Sequence, residues 1–182
     1  AWSNPARARI AALAMHSQPA TSSPPTVAVA TRGILRRRHL DVLLADWGVP
    51  RLFEPNMPAT GTAAPAYVAG WGHKPTADTA RAWAAQHGVP YLALEDGFVR
   101  SYDLGVADAD ALSIVVDDLG IYYDATRPSR LERILADEPL DDPALLAEAQ
   151  ALIDQLRAQP IGKYNAGPPP PAADGRARVA VL

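Results

Sequence analysis

The run Leu94-Glu95-Asp96-Gly97-Phe98-Val99-Arg100-Ser101 holds the densest set of side chains able to do chemistry. Glu95 and Asp96 follow the apolar stretch Val89 to Leu94, which reads as a buried strand. In open α/β sheets ligands gather beyond the carboxyl ends of strands, so both acids are candidate site residues. A carboxylate there could protonate a leaving group or take a proton from an acceptor hydroxyl, and two nearby carboxylates are what a retaining sugar transfer needs. The competing reading is structural: Asp96-Gly97 is a turn and Glu95 a solvated edge residue. Arg100 and Ser101 follow in the same segment. A guanidinium fork at that point could hold a carboxylate or phosphate through paired, charge-assisted hydrogen bonds, or it could form an ion pair with Glu95 or Asp96.

Other candidates surround this run. Lys74, after Gly70-Trp71-Gly72-His73, sits in a glycine-containing strand-to-helix loop that could admit a phosphate near the helix N-terminus, although the loop is neither a P-loop nor a G-x-G-x-x-G. Tyr122, Tyr123 and Asp124 end a candidate strand, whose two-residue period predicts one ring on each face and one in the core; Tyr123 is kept as a candidate substrate contact. Lys163-Tyr164-Asn165 falls between a long helix and a proline run, where a cleft between two domains would lie, with a linker free of ligand contacts as the alternative. Arg36, Arg37 and Arg38 form the only dense basic cluster, facing either anionic lipid headgroups or water on a helix face. His73 and His87 have no partner ligands at metal spacing, so no metal is expected. There is no G-x-S-x-G elbow to support hydrolysis.

These residues need elements to position them, and the hydrophobic pattern supplies a sequence of them. Thr26 to Thr31 reads as a short buried strand, followed by a helical stripe through Ile34, Leu35, Leu40, Leu43 and Leu44 to Trp47, stopped at Gly48. Arg51 to Phe53 and Tyr67 to Ala69 are the next strands. Thr76 is the expected N-cap of a helix from Ala77 to His87 closed by Gly88, and Val89 to Leu94 is the strand after it. Leu112 to Val116 and Ile121 to Tyr123 read as two strands joined through Asp117-Asp118-Leu119-Gly120. Ser129-Arg130-Leu131-Glu132 has capping-box spacing, and Asp142-Pro143 starts a helix whose stripe of Leu145, Leu146, Ala149, Leu152, Ile153 and Leu156 must pack on something. Strands alternating with helices at this rhythm predict a Rossmann-like α/β half.

Composition narrows the partners. A length of 182 residues suits one α/β domain with ragged ends, and the net charge of -3 gives no global reason to bind nucleic acid. There is no cysteine, hence no disulfide and no thiolate chemistry, which fits a reducing compartment, with cytoplasm the default. No run reaches the roughly 18 to 20 apolar residues of a membrane span. The expected organisation is a flexible segment over 1–25, the Rossmann-like domain over 26–165, a Pro-rich linker over 166–176 and the first strand of a further half over 177–182, making the chain a fragment.

Five strings in order, Gly70-Trp71-Gly72-His73-Lys74-Pro75, Leu94 to Ser101, Leu112-Ser113-Ile114-Val115-Val116-Asp117, Gly120 to Ser129, and Lys163-Tyr164-Asn165, together resemble the capsular polysaccharide β-Kdo transferase family. The resemblance runs from about Val27 to the C-terminus, and the Gly-Trp-Gly-x-Lys-Pro wording is similar to the first of the two tandem modules such proteins often carry. It departs at Tyr102-Asp103-Leu104-Gly105, where the family has a Gly before the Leu-Gly. The resemblance implies a retaining glycosyltransferase of GT-B-like architecture that moves Kdo from CMP-Kdo to a lipid-linked, phosphatidylglycerol-Kdo acceptor. It implies no cofactor, contact with the inner face of the bacterial inner membrane, and capsule-assembly proteins as partners. Glu95 is then the expected acid/base or acceptor-positioning group. Asp96, Arg100, Ser101, Lys74, Tyr123, Lys163 and Asn165 are expected at the substrate. The nucleophile and donor contacts are expected beyond Leu182, so that these residues alone would be inactive. A non-catalytic module that binds or scaffolds glycan-lipid is the alternative function.

Overall fold

The computed structural model describes residues 24–100, 111, 113–159, 162 and 163. The predicted linker over 166–176 and the strand over 177–182 lie outside them. Within them a five-stranded sheet runs in the order β2-β1-β3-β4-β5, formed by β1 (Thr26–Val29), β2 (Val49–Leu52), β3 (Tyr67–Trp71), β4 (Tyr91–Asp96) and β5 (Ile114–Asp117). The first four strands are parallel and β5 pairs antiparallel to β4, with Glu95 opposite Val115. The expected α/β architecture is present.

Two-residue alternation sorts the core. Val27, Val29, Ala69, Trp71, Leu92 and Leu94 join the cluster that also buries Ile34, Leu40 and Leu44. Ala28 and Val68 point the other way, toward Phe53, Ala80, Trp83 and Ala84. Both faces of the central strands are therefore covered, as parallel strands require, which explains their continuous apolar reading.

On the first face the helical stripe is broken into α1 (Arg32–Leu35) and α2 (Leu40–Leu43), with His39 between them in the left-handed region at φ 61°. One unbroken helix was expected. Six residues of α-helix would set Ile34 and Leu40 about 120° apart around the axis; the interruption lets both reach one core. On the second face α3 spans Pro75–His87 and closes at Gly88 in the left-handed conformation. Its N-cap is Lys74, not Thr76. Pro75 takes the first helical position, where its missing N–H costs nothing and its fixed φ suits the helix. Gly70 permits close approach of α3 to β3: a Cβ there would stand 2.7 Å from that of Ala77.

After β5 the second predicted strand does not form: Ile121–Tyr123 is a turn, in which Asp124 N donates to Ile121 O at 2.9 Å. The cause is Asp117. Its buried carboxylate accepts from the backbone N–H groups of Leu119 (2.9 Å), Gly120 (2.8 Å) and Arg130 (2.8 Å), bending the chain and tying it to α4 (Arg130–Asp137). Neither Tyr122 nor Tyr123 is consequently a core residue. The capping box of Ser129 and Glu132 starts α4, and the Asp142 carboxylate caps α5 (Pro143–Ala158). The apolar stripe of α5 was expected to pack, yet Leu146, Leu152 and Ile153 are exposed and no α5 side chain is buried among the described residues.

Candidate functional site

Strand β4 is two residues longer at its carboxyl end than its apolar run suggests, so Glu95 and Asp96 lie on the strand rather than after it. The reason is the antiparallel partner: Val115 and Ile114 of β5 pair with them, and Gly97 N continues the ladder to Ser113 O. Glu95 is thereby fixed in register at the carboxyl edge of the parallel strands, half-buried.

Three donors converge on its carboxylate. Trp71 Nε1 donates to Oε1 at 3.0 Å, the Asp96 backbone N–H to the same oxygen at 2.9 Å, and the Tyr123 hydroxyl to Oε2 at 3.2 Å. Gly72, at φ 55°, makes room: a Cβ there would lie 2.8 Å from the Tyr123 hydroxyl and 3.1 Å from Glu95 Oε2. The requirement is double, since only glycine adopts that backbone without strain and only glycine leaves the space. Although the Tyr123 ring is about half exposed, its hydroxyl end abuts Glu95, and burial there, reinforced by the carboxylate, pushes its pKa up to about 12. Around neutral pH it is a fixed donor.

The cluster continues outward. The His73 ring meets Tyr123 edge-on at 5.7 Å, and its Nε2 stands 3.4 Å from Asp124 Oδ2. Asp124 is held below the usual carboxylate range, chiefly by the hydroxyl and backbone N–H of Thr126, with smaller contributions from His73 and Arg127. Beside it a cavity of about 150 Å³ is lined by His73, Arg81, Tyr91, Asp117, Asp118, Asp124 and Arg127, among others. A larger cavity, about 490 Å³, opens at the amino ends of the strands between Pro24–Thr26 and Val89-Pro90. Its size does not recommend it, because that end of a parallel sheet is not where ligands gather.

Asp96 and Arg100 do something different. Arg100 is buried, and its Nε donates to Asp96 Oδ2 at 2.8 Å, so the ion-pair reading is realised with Asp96 and not with Glu95. The Arg100 backbone N–H donates to Lys163 O at 3.1 Å, which brings the segment after α5 against the segment after β4. Asp96 Oδ1 is buried without a hydrogen-bond partner among the described residues. Lys74 is exposed at the start of α3, in the loop that begins with Gly72. Ser101 and Asn165 lie outside the described residues. Glu95 and Tyr123 are thus brought into direct contact, Asp96, Arg100 and Lys163 form a second group, and the Lys74 side chain makes no hydrogen bond or ion pair with either among the described residues.

Trp71 and Gly72 went unrecognised as parts of the site although both stand in a string that the sequence singles out. The usable signal was an aromatic N–H between two glycines at a strand end. Arg37 stands in the basic run Arg36 to Arg38, but nothing in the sequence tied it to this site; its guanidinium lies over the Trp71 ring, 4.0 Å from the centroid. Among the described residues no group of three or more His, Asp or Glu side chains could hold a metal ion, and no helix is long and apolar enough to cross a membrane.

Residues 66–167 match the family model described as capsule polysaccharide biosynthesis protein. The capsule polysaccharide modification protein LipA of Neisseria meningitidis serogroup B is 44% identical over 140 residues, covering 77% of this chain and 19% of that protein. The lipopolysaccharide-processing protein LpsZ of Rhizobium meliloti is 37% identical over 89 residues, covering 48% of this chain and 20% of that protein. Among solved structures, Thermosulfurimonas dismutans KpsC, a beta Kdo 2,4 transferase, superposes with a TM-score of 0.70 at 40% identity, covering 84% of this chain and 45% of that one. The chain spans about a fifth of the curated relatives it matches and less than half of the solved structure. With the family model matched over more than half of its length and the sheet shared with a solved relative, the chain belongs to the capsule polysaccharide biosynthesis protein family.

Proposed function

We propose that these residues form the acceptor-side half of a retaining glycosyltransferase that moves Kdo from CMP-Kdo to a lipid-linked Kdo acceptor in capsule assembly. The observation that carries the reading is the Glu95 carboxylate, fixed by Trp71, Tyr123 and its own strand at the carboxyl edge of the parallel strands. Three donors hold its orientation, so that a hydroxyl presented to the open side meets a preset acceptor of its proton. In this reading Glu95 is the acid/base or acceptor-positioning group. Tyr123 and Lys74 are its proposed acceptor contacts, as are Ser101 and Asn165, while Asp96, Arg100 and Lys163 shape the neighbouring wall. The donor and the nucleophile belong to another part of the whole protein.

A water-soluble nucleotide sugar and a lipid-linked acceptor meet only at a membrane surface. The proposed location is therefore the cytoplasmic face of the inner membrane, beside other proteins of capsule assembly.

The test is Glu95→Gln in the full-length polypeptide, with transfer from CMP-Kdo to a synthetic lipid-linked Kdo acceptor followed by mass spectrometry. Loss of a positioned acid or base lowers turnover by about 10²- to 10⁴-fold. Near-normal turnover in a folded variant would sink the assignment.

A further inference from the structure

Arg37 sits in the short break between α1 and α2, half-buried, with its guanidinium over the indole of Trp71 at 4.0 Å from the centroid. The ring's negative face holds the cation from below without engaging its in-plane N–H groups. Among the described residues those N–H groups have no hydrogen-bonded or ionic partner. This differs from Arg100 and Arg130, whose guanidinium groups are committed to Asp96 and Asp118.

The edge of the same indole donates to Glu95. One ring therefore carries a carboxylate at its N–H edge and a cation with unspent donors on its face. Local charge gives that cation a purpose. Glu95, Asp96 and Asp124 all lie at this end of the sheet, Asp96 being neutralised by Arg100 and Asp124 approached by His73. An anionic ligand coming to Glu95 would meet repulsion unless a cation stood beside the carboxylate. Arg37 is the guanidinium that stacking places there, and a planar fork matches the oxygens of a carboxylate or phosphate.

We infer that Arg37, seated on Trp71, is an anion-binding residue of this site that takes a carboxylate or phosphate oxyanion of the ligand, and that the indole sets the spacing between that anion and Glu95. The ligand's identity rests on the glycosyl-transfer reading; the existence of the anion site does not. Two sources share the chemistry, the carboxylate of an acidic sugar and the phosphate of a lipid headgroup.

The experiment uses the ¹⁵N-labelled chain and follows the Trp71 indole N–H and the Arg37 Nε–H during titration with free Kdo, with sn-glycerol 3-phosphate and with uncharged glycerol. Saturable shifts at both resonances with either anion, absent with glycerol, are expected. A response to Kdo assigns the sugar carboxylate, and a response to glycerol phosphate assigns the lipid phosphate. Arg37→Gln should weaken the responding anion at least about tenfold, the scale of one lost charge-assisted hydrogen bond. Arg37→Lys keeps the charge without the fork and should weaken it only severalfold, which preserves the test should Arg37→Gln not fold. No shift with either anion, or equal affinity in wild type and Arg37→Gln, overturns the proposal. An active Glu95→Gln enzyme with an intact Arg37-dependent shift would remove the catalytic reading and leave the anion site standing.

Discussion

Replacing Gly72 by alanine tests the geometry of the site at its tightest point. Gly72 has φ 55°, a region that costs a residue with a Cβ about 1 to 2 kcal/mol. Alanine recovers about 0.4 to 1 kcal/mol by restricting the unfolded chain, so strain alone predicts a net loss near 1 kcal/mol. The added Cβ would also lie 2.8 Å from the Tyr123 hydroxyl and 3.1 Å from Glu95 Oε2, which must part. Separating them forfeits one hydrogen bond, about 1 kcal/mol more at a partly solvated position. Gly88 is the internal control: its φ is 68°, in the same region, and an added Cβ there meets nothing within 4 Å. Urea unfolding followed by tryptophan fluorescence should therefore show Gly72→Ala less stable than wild type by about 2 kcal/mol and Gly88→Ala by only about 1 kcal/mol. Tyrosine titration by ¹³C NMR should show the Tyr123 pKa dropping from about 12 toward its ordinary value in Gly72→Ala and unchanged in Gly88→Ala. Equal losses in the two variants, with Tyr123 titrating as in wild type, would refute the argument that Gly72 exists to admit the Glu95–Tyr123 contact.

Two further outcomes concern Tyr123 and Asp117. Because the Tyr123 pKa is raised on folding, the folded state holds its proton while the unfolded chain releases it. The contribution is complete below about pH 10 and is lost as pH rises through about 12; wild type should lose urea resistance over that window relative to Tyr123→Phe, and parallel pH profiles would contradict the assignment. Asp117→Ala would leave three backbone N–H groups at the end of β5 and the start of α4 without their acceptor, at a cost of about 3 kcal/mol or more. Hydrogen exchange should then quicken at Leu119, Gly120 and Arg130, and unaltered protection there would show that other acceptors serve them.

The chain's own pattern was sufficient for much of the scaffold. Apolar runs such as Tyr67 to Ala69 and Val89 to Leu94 read as strands and supply β3 and β4 of the sheet, and the Ser129–Glu132 and Asp142-Pro143 signals placed two helix starts, because capping depends on residues within one turn. The pattern failed where distant residues overrode local preference. The stripe from Ile34 to Trp47 read as one helix, yet sharing a single core required the break at His39. Tyr122 and Tyr123 read as strand, yet Asp117 drew the chain into a turn with hydrogen bonds that no period reveals.

The division is sharpest at Glu95. Its residue type and its place after an apolar run were enough to mark it as a candidate, and so was the resemblance carried by the strings around it. Only the folded chain decided that its oxygens are held by Trp71 and Tyr123, that Arg100 pairs with Asp96 instead, and that Arg37 lies across the same indole. Those partners come from separate strands, turns and loops. Parallel pairing of β3 with β4 and antiparallel pairing of β4 with β5 bring them within hydrogen-bond reach, and such registers are set by the packing of the whole sheet rather than by the spacing of residues along the chain.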